Sequence, residues 1–395
     1  MKVFIKIVLK PGKDQSVLRL HPWIFSGAIK KIEGDPLEGD IVEVFSNTHD
    51  FLAMGHYQIG SIAVRLFSFR QVVPDEDFWQ AKIRQAFEVR RTLKLTDSKE
   101  TNVYRLVHGE GDGLPGLIID FYNGVVVMQM HSIGMYRIRD QVAAAIRAIY
   151  QNDLVTIYDK SEGTLPVKAN LGVKNEFLFG HEDSVEVREN GFRFRIEVCK
   201  GQKTGFFIDQ RDNRQLLTHY TKGKSVLNMF CYTGGFSVYA LGGGAGLVHS
   251  VDSSSQVVEL TGKNVELNGG NDGRHKAINA DAFDFLNNIR DAYDVIILDP
   301  PAFAKRLDAL NNALQGYKRL NAKAIEQIRS GGIIFTFSCS QVVSKENFRK
   351  SVFAAAANTG RHVRILHQLT QPPDHPVSIY HPEGEYLKGL VLQVE

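Results

Sequence analysis

The chain has 395 residues, 43% hydrophobic and 23% charged, with a net charge of +3. That is ordinary globular composition but too much chain for one core, so two or three domains are expected. No apolar run reaches membrane-spanning length, Met1-Lys2-Val3-Phe4 opens no signal-peptide core, and none of the three cysteines (Cys199, Cys231, Cys339) stand at C-x-x-C spacing. A cytoplasmic protein with no membrane partner, no disulfide framework and no metal site is expected.

Residues 1–70 read as a small β-barrel. The runs 3–9, 40–45, 51–57 and 62–67 carry β-branched and aromatic residues and are separated by glycines. The first 31 residues hold seven lysines and arginines against Asp14 alone. A basic end can track phosphates, although charge alone does not separate that from a solvated face. A helix should follow, because Trp79, Ile83, Ala86, Arg90 and Leu93 recur near helical spacing behind Pro74 and Asp75. The runs 117–122 and 125–130 flank Asn123-Gly124, a hairpin signal. Ile138, Val142, Ile146 and Ile149 mark one helix face, and 154–159 returns to strand. Residues 71–185 are therefore expected to form an α+β domain without evident chemistry. From 186 to 395, strand and helix alternate as in a doubly wound sheet.

That last region carries four landmarks, each after a short apolar run that reads as a buried strand. They are Asn228-Met229-Phe230-Cys231-Tyr232-Thr233-Gly234-Gly235, Asp252-Ser253, Asp281-Ala282-Phe283 and Asp299-Pro300-Pro301. Turns at the carboxyl ends of parallel strands are where open α/β sheets bind ligands. Asp252 suits ribose hydroxyls and Asp281 an adenine amine. A dinucleotide site would want G-x-G-x-x-G directly after the first strand. Only Gly234-Gly235 stands there, and the run 242–246 comes one helix later, as a helix stop. The order and spacing resemble a class I S-adenosylmethionine (SAM) methyltransferase.

Cys339 lies between two serines just past the run 332–337, on the same sheet edge as Asp299. A thiol there can add to C6 of a pyrimidine and make C5 able to accept a methyl group. Its ordinary pKa near 8.5 leaves about a few per cent thiolate at neutral pH, so local activation is required. Asp299, fixed by two prolines, can hydrogen-bond N3 or the exocyclic amine of cytosine. The D-P-P turn also occurs in amine methyltransferases, but there an aromatic follows directly, whereas here Ala302 precedes Phe303. The stretch 200–214 mixes glycines, Phe206-Phe207, Asp209, Arg211 and other bases, a mixture that suits a lid over a nucleoside. The histidines show no ligand pattern, and no Ser–His–Asp arrangement is evident.

Several motifs together resemble the RlmI-type family of bacterial large-subunit ribosomal RNA cytosine-C5 methyltransferases. They are His21-Pro22-Trp23-Ile24-Phe25-Ser26-Gly27, Gly111-Asp112-Gly113-Leu114-Pro115-Gly116, Lys203-Thr204-Gly205-Phe206-Phe207-Ile208-Asp209-Gln210-Arg211, Asp299-Pro300-Pro301, Ser338-Cys339-Ser340 and Tyr386-Leu387-Lys388-Gly389-Leu390. The resemblance implies a multidomain α/β protein with three parts: an N-terminal PUA-like RNA-binding β-barrel, a central α+β domain and a C-terminal Rossmann-like class I SAM methyltransferase domain. It implies Cys339 as nucleophile, SAM as cofactor, large-subunit ribosomal RNA as partner and a homodimer. The base that takes the C5 proton stays unassigned. A related branch methylates guanine N7, which needs no thiol, and an RNA-binding protein with an inactive methyltransferase domain is the non-enzymatic alternative.

Overall fold

A computed structural model describes residues 4–166, 172–270 and 272–395. The chain forms two compact units. The first comprises Met1–Val187, Ile196–Phe206 and Pro373–Gly384; the second comprises Arg188–Arg195, Phe207–Pro372 and Glu385–Glu395.

The first unit opens with β1 (Ile5–Leu9), α1 (Gln15–Leu18), β2 (Trp23–Phe25), β3 (Ile29–Glu33), β4 (Ile41–Phe45), β5 (Phe51–Tyr57) and β6 (Ile62–Ser68). Their order in one sheet is β2-β6-β5-β4-β1-β3. Alternate residues Ile7 and Leu9, Val42 and Val44, and Val64 and Leu66 fill its core, the period-2 pattern of a half-buried strand. The four strands expected from sequence are the inner ones. The two that were not, β2 and β3, are the edges, where a three-residue strand and the exposed Lys30 and Lys31 obscure the pattern.

Helix α2 (Glu76–Thr92) follows, and the Asp75 carboxylate accepts from Phe78 N at 3.0 Å as its cap. Next come β7 (Val103–His108), β8 (Leu117–Tyr122), β9 (Val125–Met130), α3 (Ile133–Arg137), α4 (Arg139–Tyr150), β10 (Thr156–Asp159) and β11 (Glu176–Phe179). They make a five-stranded sheet, β11-β10-β9-β8-β7. Asn123 and Gly124 take φ of +46° and +89° in the expected hairpin, the two left-handed positions a two-residue turn needs. Strand β7 escaped notice because Arg105 and His108 interrupt its apolar run.

Two strands, β12 (Ser184–Glu189) and β13 (Phe192–Glu197), pair only with each other. The second unit continues with α5 (Arg211–Leu217), β14 (Ser225–Met229), α6 (Gly235–Gly242), β15 (Leu247–Asp252), α7 (Ser255–Leu267), β16 (His275–Asn279), α8 (Ala282–Leu286), β17 (Val295–Leu298), α9 (Leu310–Gln327), β18 (Gly332–Ser338), α10 (Lys345–Thr359), β19 (Val363–Leu369) and β20 (Lys388–Val394). The sheet order is β16-β15-β14-β17-β18-β20-β19. Strands β14 to β18 run parallel, and β20 inserts antiparallel between β18 and β19. The chain winds outward from β14 to β16, then returns to place β17 on the other side of β14. That reversal is the topological switch point where doubly wound sheets bind ligands. No helix among the described residues is long and apolar enough to cross a membrane.

Candidate active site

The parallel register aligns the carboxyl ends of the strands. Met229 pairs with Val251 and with Leu298, Asp252 with Asn279, and Leu298 with Thr336. The residues that follow these pairs therefore share one edge of the sheet. Asn228, Phe230, Tyr232, Thr233, Gly234, Asp252, Ser253, Asp281, Ala282, Phe283, Asp299 and Cys339 all belong to it.

The turn after β14 holds unusual backbone. Phe230 and Tyr232 take φ of +58° and +46°, and Gly234 takes +81°. Two bulky residues in the left-handed region are strained and persist only where the surroundings impose it. Helix α7 supplies that constraint. Thr261 Oγ1 donates to Tyr232 O at 2.6 Å, and Asn264 Nδ2 donates to Thr233 O at 2.8 Å. A Cβ on Gly234 would stand 2.7 Å from Thr261 Cγ2, so only glycine fits there.

Asp252 is half-buried; its Oδ2 accepts from Tyr232 N at 3.2 Å and its Oδ1 from Ser254 N at 3.1 Å. An ionised carboxylate offers about four lone-pair sites, so room remains for two hydroxyl donors. Asp281 caps α8 through Oδ1, accepting from Phe283 N at 2.8 Å and Asp284 N at 3.1 Å, and is otherwise exposed. Asn228 lies beneath the turn. Its Nδ2 donates to Ser237 Oγ at 2.8 Å, while its buried Oδ1 has no partner. An orphaned acceptor, a constrained turn and a carboxylate with spare capacity fit a cofactor rich in amine and hydroxyl donors, as SAM is.

The stretch read as a lid divides between the units. Phe206 ends the Ile196–Phe206 segment of the first unit and is buried there. In that unit Thr204 Oγ1 donates to Asp120 at 2.6 Å and receives Tyr122 OH at 3.0 Å. The rest belongs to the second unit. Phe207 meets Tyr232 edge-on with ring centroids 4.8 Å apart. Asp209 accepts from Tyr386 OH at 2.6 Å, and Arg211 lies 3.5 Å from Asp212. Arg214 grips Glu189 with two bonds of 2.8 Å, and Tyr239 OH donates to the same carboxylate at 3.0 Å. Composition gave no means to find Tyr386 as the partner of Asp209.

The cysteines differ. Burial pushes the Cys231 thiol up to about 12, and its Sγ lies 3.6 Å from Thr261 Oγ1. Cys231 is a packing residue of the turn. Cys339 is half-buried at the end of β18, flanked by the buried Ser338 and Ser340. Tyr317 of α9 bonds Ser340 Oγ at 3.1 Å and interacts electrostatically with Cys339.

Compared with known families, residues 104–388 match the S-adenosylmethionine-dependent methyltransferase model and residues 7–69 match a PUA-like domain. The ribosomal RNA large subunit methyltransferase I of Aeromonas hydrophila subsp. hydrophila is 40% identical over 395 residues, 98% of each chain. The protein of the same name from Alteromonas mediterranea is 38% identical, also over 98% of each. Among solved structures, a Streptococcus mutans protein described as a SAM-dependent methyltransferase superposes with a TM-score of 0.84 at 25% identity, over 98% of this chain and all of that one. A methyltransferase solved with S-adenosylhomocysteine gives 0.85 at the same identity and coverage.

Proposed function

The chain belongs to the ribosomal RNA large subunit methyltransferase I family of SAM-dependent methyltransferases, with a PUA-like N-terminal domain, and from that premise we propose that it makes 5-methylcytosine in large-subunit ribosomal RNA through a covalent adduct to Cys339. The observation that carries this reading is a half-buried cysteine at the sheet edge shared with Asp252, Asp281 and Asp299.

The Cys339 thiolate adds to C6 of the cytosine, which makes C5 enamine-like. SAM, when bound, supplies a methyl group on a sulfonium. After C5 takes that methyl group, its proton leaves to a base, the C5–C6 double bond re-forms and the thiolate departs. The Asp299 carboxylate, held by Pro300 and Pro301, accepts from the exocyclic amine or, when protonated, donates to N3 and draws electron density from C6. Asn228, Phe230, Tyr232, Thr233 and Gly234 form the cofactor turn. Asp252 and Ser253 hold the ribose, and Asp281, Ala282 and Phe283 border the adenine. Asp209 and Arg211 close over the nucleoside, and Phe206 precedes them in the same lid motif.

The same reading divides the chain at 70/71 and 185/186, and gives the first domain, through its basic first 31 residues, to the RNA backbone. It also includes a homodimer and a cytoplasmic location; light scattering that returns a single-chain mass would remove the dimer. Guanine N7 is nucleophilic already and needs no thiol, so Cys339 favours cytosine.

RNA carrying 5-fluorocytosine at the target tests the chemistry. Fluorine cannot leave as a proton does, so the adduct should persist with the wild-type protein and vanish with Cys339→Ala. A product identified as 7-methylguanine would sink the reading.

A further inference from the structure

Lys388 has no part in the chemistry above, and its surroundings are unusual for a lysine. It opens β20, is only 5% exposed, and lies directly across from Ser338 in the antiparallel register with β18. Its Nζ donates to the carbonyls of Ser340 and Val343, each at 2.6 Å. Both carbonyls lie on the segment that leaves β18 through Cys339. Two of the three ammonium N–H groups are thus fixed on the cysteine's own turn, and the third has no acceptor among the described residues.

Buried lysines are rare unless an anion accompanies them. Lys388 forms no ion pair with a carboxylate among the described residues. The charged and titratable groups that face it are Cys339 on the turn and Lys345 at the start of α10; Tyr317 of α9 faces the same cysteine. Lys345 is itself paired with Glu385 at 2.7 Å. Burial, opposed by the Cys339 charge and aided by Lys345, holds Lys388 down at about 8. The one group able to become the missing anion is the cysteine.

We propose that Lys388 is a positioning residue whose fixed ammonium holds Cys339 as a thiolate. The thiol gives its proton to water, and the charge left on Sγ is balanced by the lysine across the turn. This rests on the reading of Cys339 as the nucleophile, and it answers the activation that reading requires. Without a nearby cation, burial would drive the thiol the other way, as it does at Cys231.

The test is the pH profile of Cys339 alkylation by iodoacetamide, followed by peptide mass spectrometry in the full-length protein. The wild-type inflection should fall below the ordinary thiol value of about 8.5. Lys388→Met should raise it by about one pH unit or more, slowing alkylation at pH 7 roughly tenfold, while Lys388→Arg should keep it near wild type. SAM titration checks that each variant is folded. A wild-type inflection at or above the ordinary value overturns the proposal without any variant. So does a folded Lys388→Met protein with the wild-type profile. Methyl transfer by Cys339→Ala reports separately: if that variant is active, the nucleophile reading falls while the alkylation result still stands.

Discussion

Two regions, the buried arginine pairs of the first unit and the strand edge of the second, hold their polar groups in different ways. In the first, Arg90 is fully buried and bonds both oxygens of Asp112 at 2.5 and 2.8 Å, with Nη2 on Asp374 O at 2.7 Å. Arg105 holds both oxygens of Asp120 at 2.8 and 2.9 Å, and Thr204 adds to the same carboxylate. These networks are closed: each charge is met by a partner in the same unit. At the edge of β14 to β18, capacity is left over. Asn228 Oδ1 is orphaned, Asp252 keeps lone pairs, Lys388 keeps an N–H, and the backbone at Phe230 and Tyr232 is strained. A closed network fixes a fold, and an open one leaves bonds for a ligand.

Breaking one group at the open edge should remove chemistry and spare the fold. Cys339→Ala should lower methyl transfer by roughly a thousandfold or more, as loss of a covalent nucleophile does, with SAM binding retained. An active Cys339→Ala enzyme would erase the distinction at its most important residue. Breaking the closed network should do the reverse. Arg90→Met leaves Asp112 buried without its cation and should lower unfolding stability by about 3–5 kcal/mol. A urea titration that shows under about 1 kcal/mol would mean the pair is not what holds the region together.

A smaller effect belongs to the cofactor. Asp252→Ala should weaken SAM binding by about 10- to 150-fold, the value of one hydrogen bond to a charged group at roughly 1.5–3 kcal/mol. Isothermal titration reads it directly, and unchanged affinity in both Asp252→Ala and Asp281→Ala proteins would unseat the SAM site drawn here.

The edge was largely legible in the sequence because each of its turns is local. A strand, a helix start and the residues between them are contiguous, so the turn from Asn228 to Gly235 and Asp299-Pro300-Pro301 could be recognised without the fold. The inner strands of the first sheet and the 123–124 hairpin were readable for the same reason. What stayed hidden depends on pairing across distance. Tyr386 reaches Asp209 from 177 residues away, and Lys388 meets the Cys339 turn only because β20 inserts antiparallel between β18 and β19. The ending was noticed as a family motif, but no periodicity gives that register. The closed networks were invisible too: nothing in the hairpin sequence says that Asp120 meets Arg105 and Thr204.

His56 sharpens the comparison, since it is one of the orphans inside the first unit. It sits on β5 at 2% exposure, stacked on Trp79 at 5.7 Å and 5.0 Å from Phe67, and neither ring nitrogen has a partner. A Cβ on Gly134 would stand 2.1 Å from its ring, so no room exists to relieve it. Burial, helped by Arg137, holds its pKa down at about 3. The ring is therefore neutral, packing as an apolar group, and it offers nothing to a ligand by charge. The unfolded chain takes up a proton near 6.5, but the folded protein does not until about 3. The unfolded state then binds more protons across that window, so stability is lost as pH falls through it. Between pH 7 and pH 5 this residue alone should remove about 2 kcal/mol. His131, held down to about 4, contributes to the same trend and is present in both proteins. The difference between wild type and His56→Leu thus isolates position 56: the gap between the urea midpoints at the two pH values should narrow in the variant. An equal acid loss in both proteins would mean that His56 is protonated where it stands.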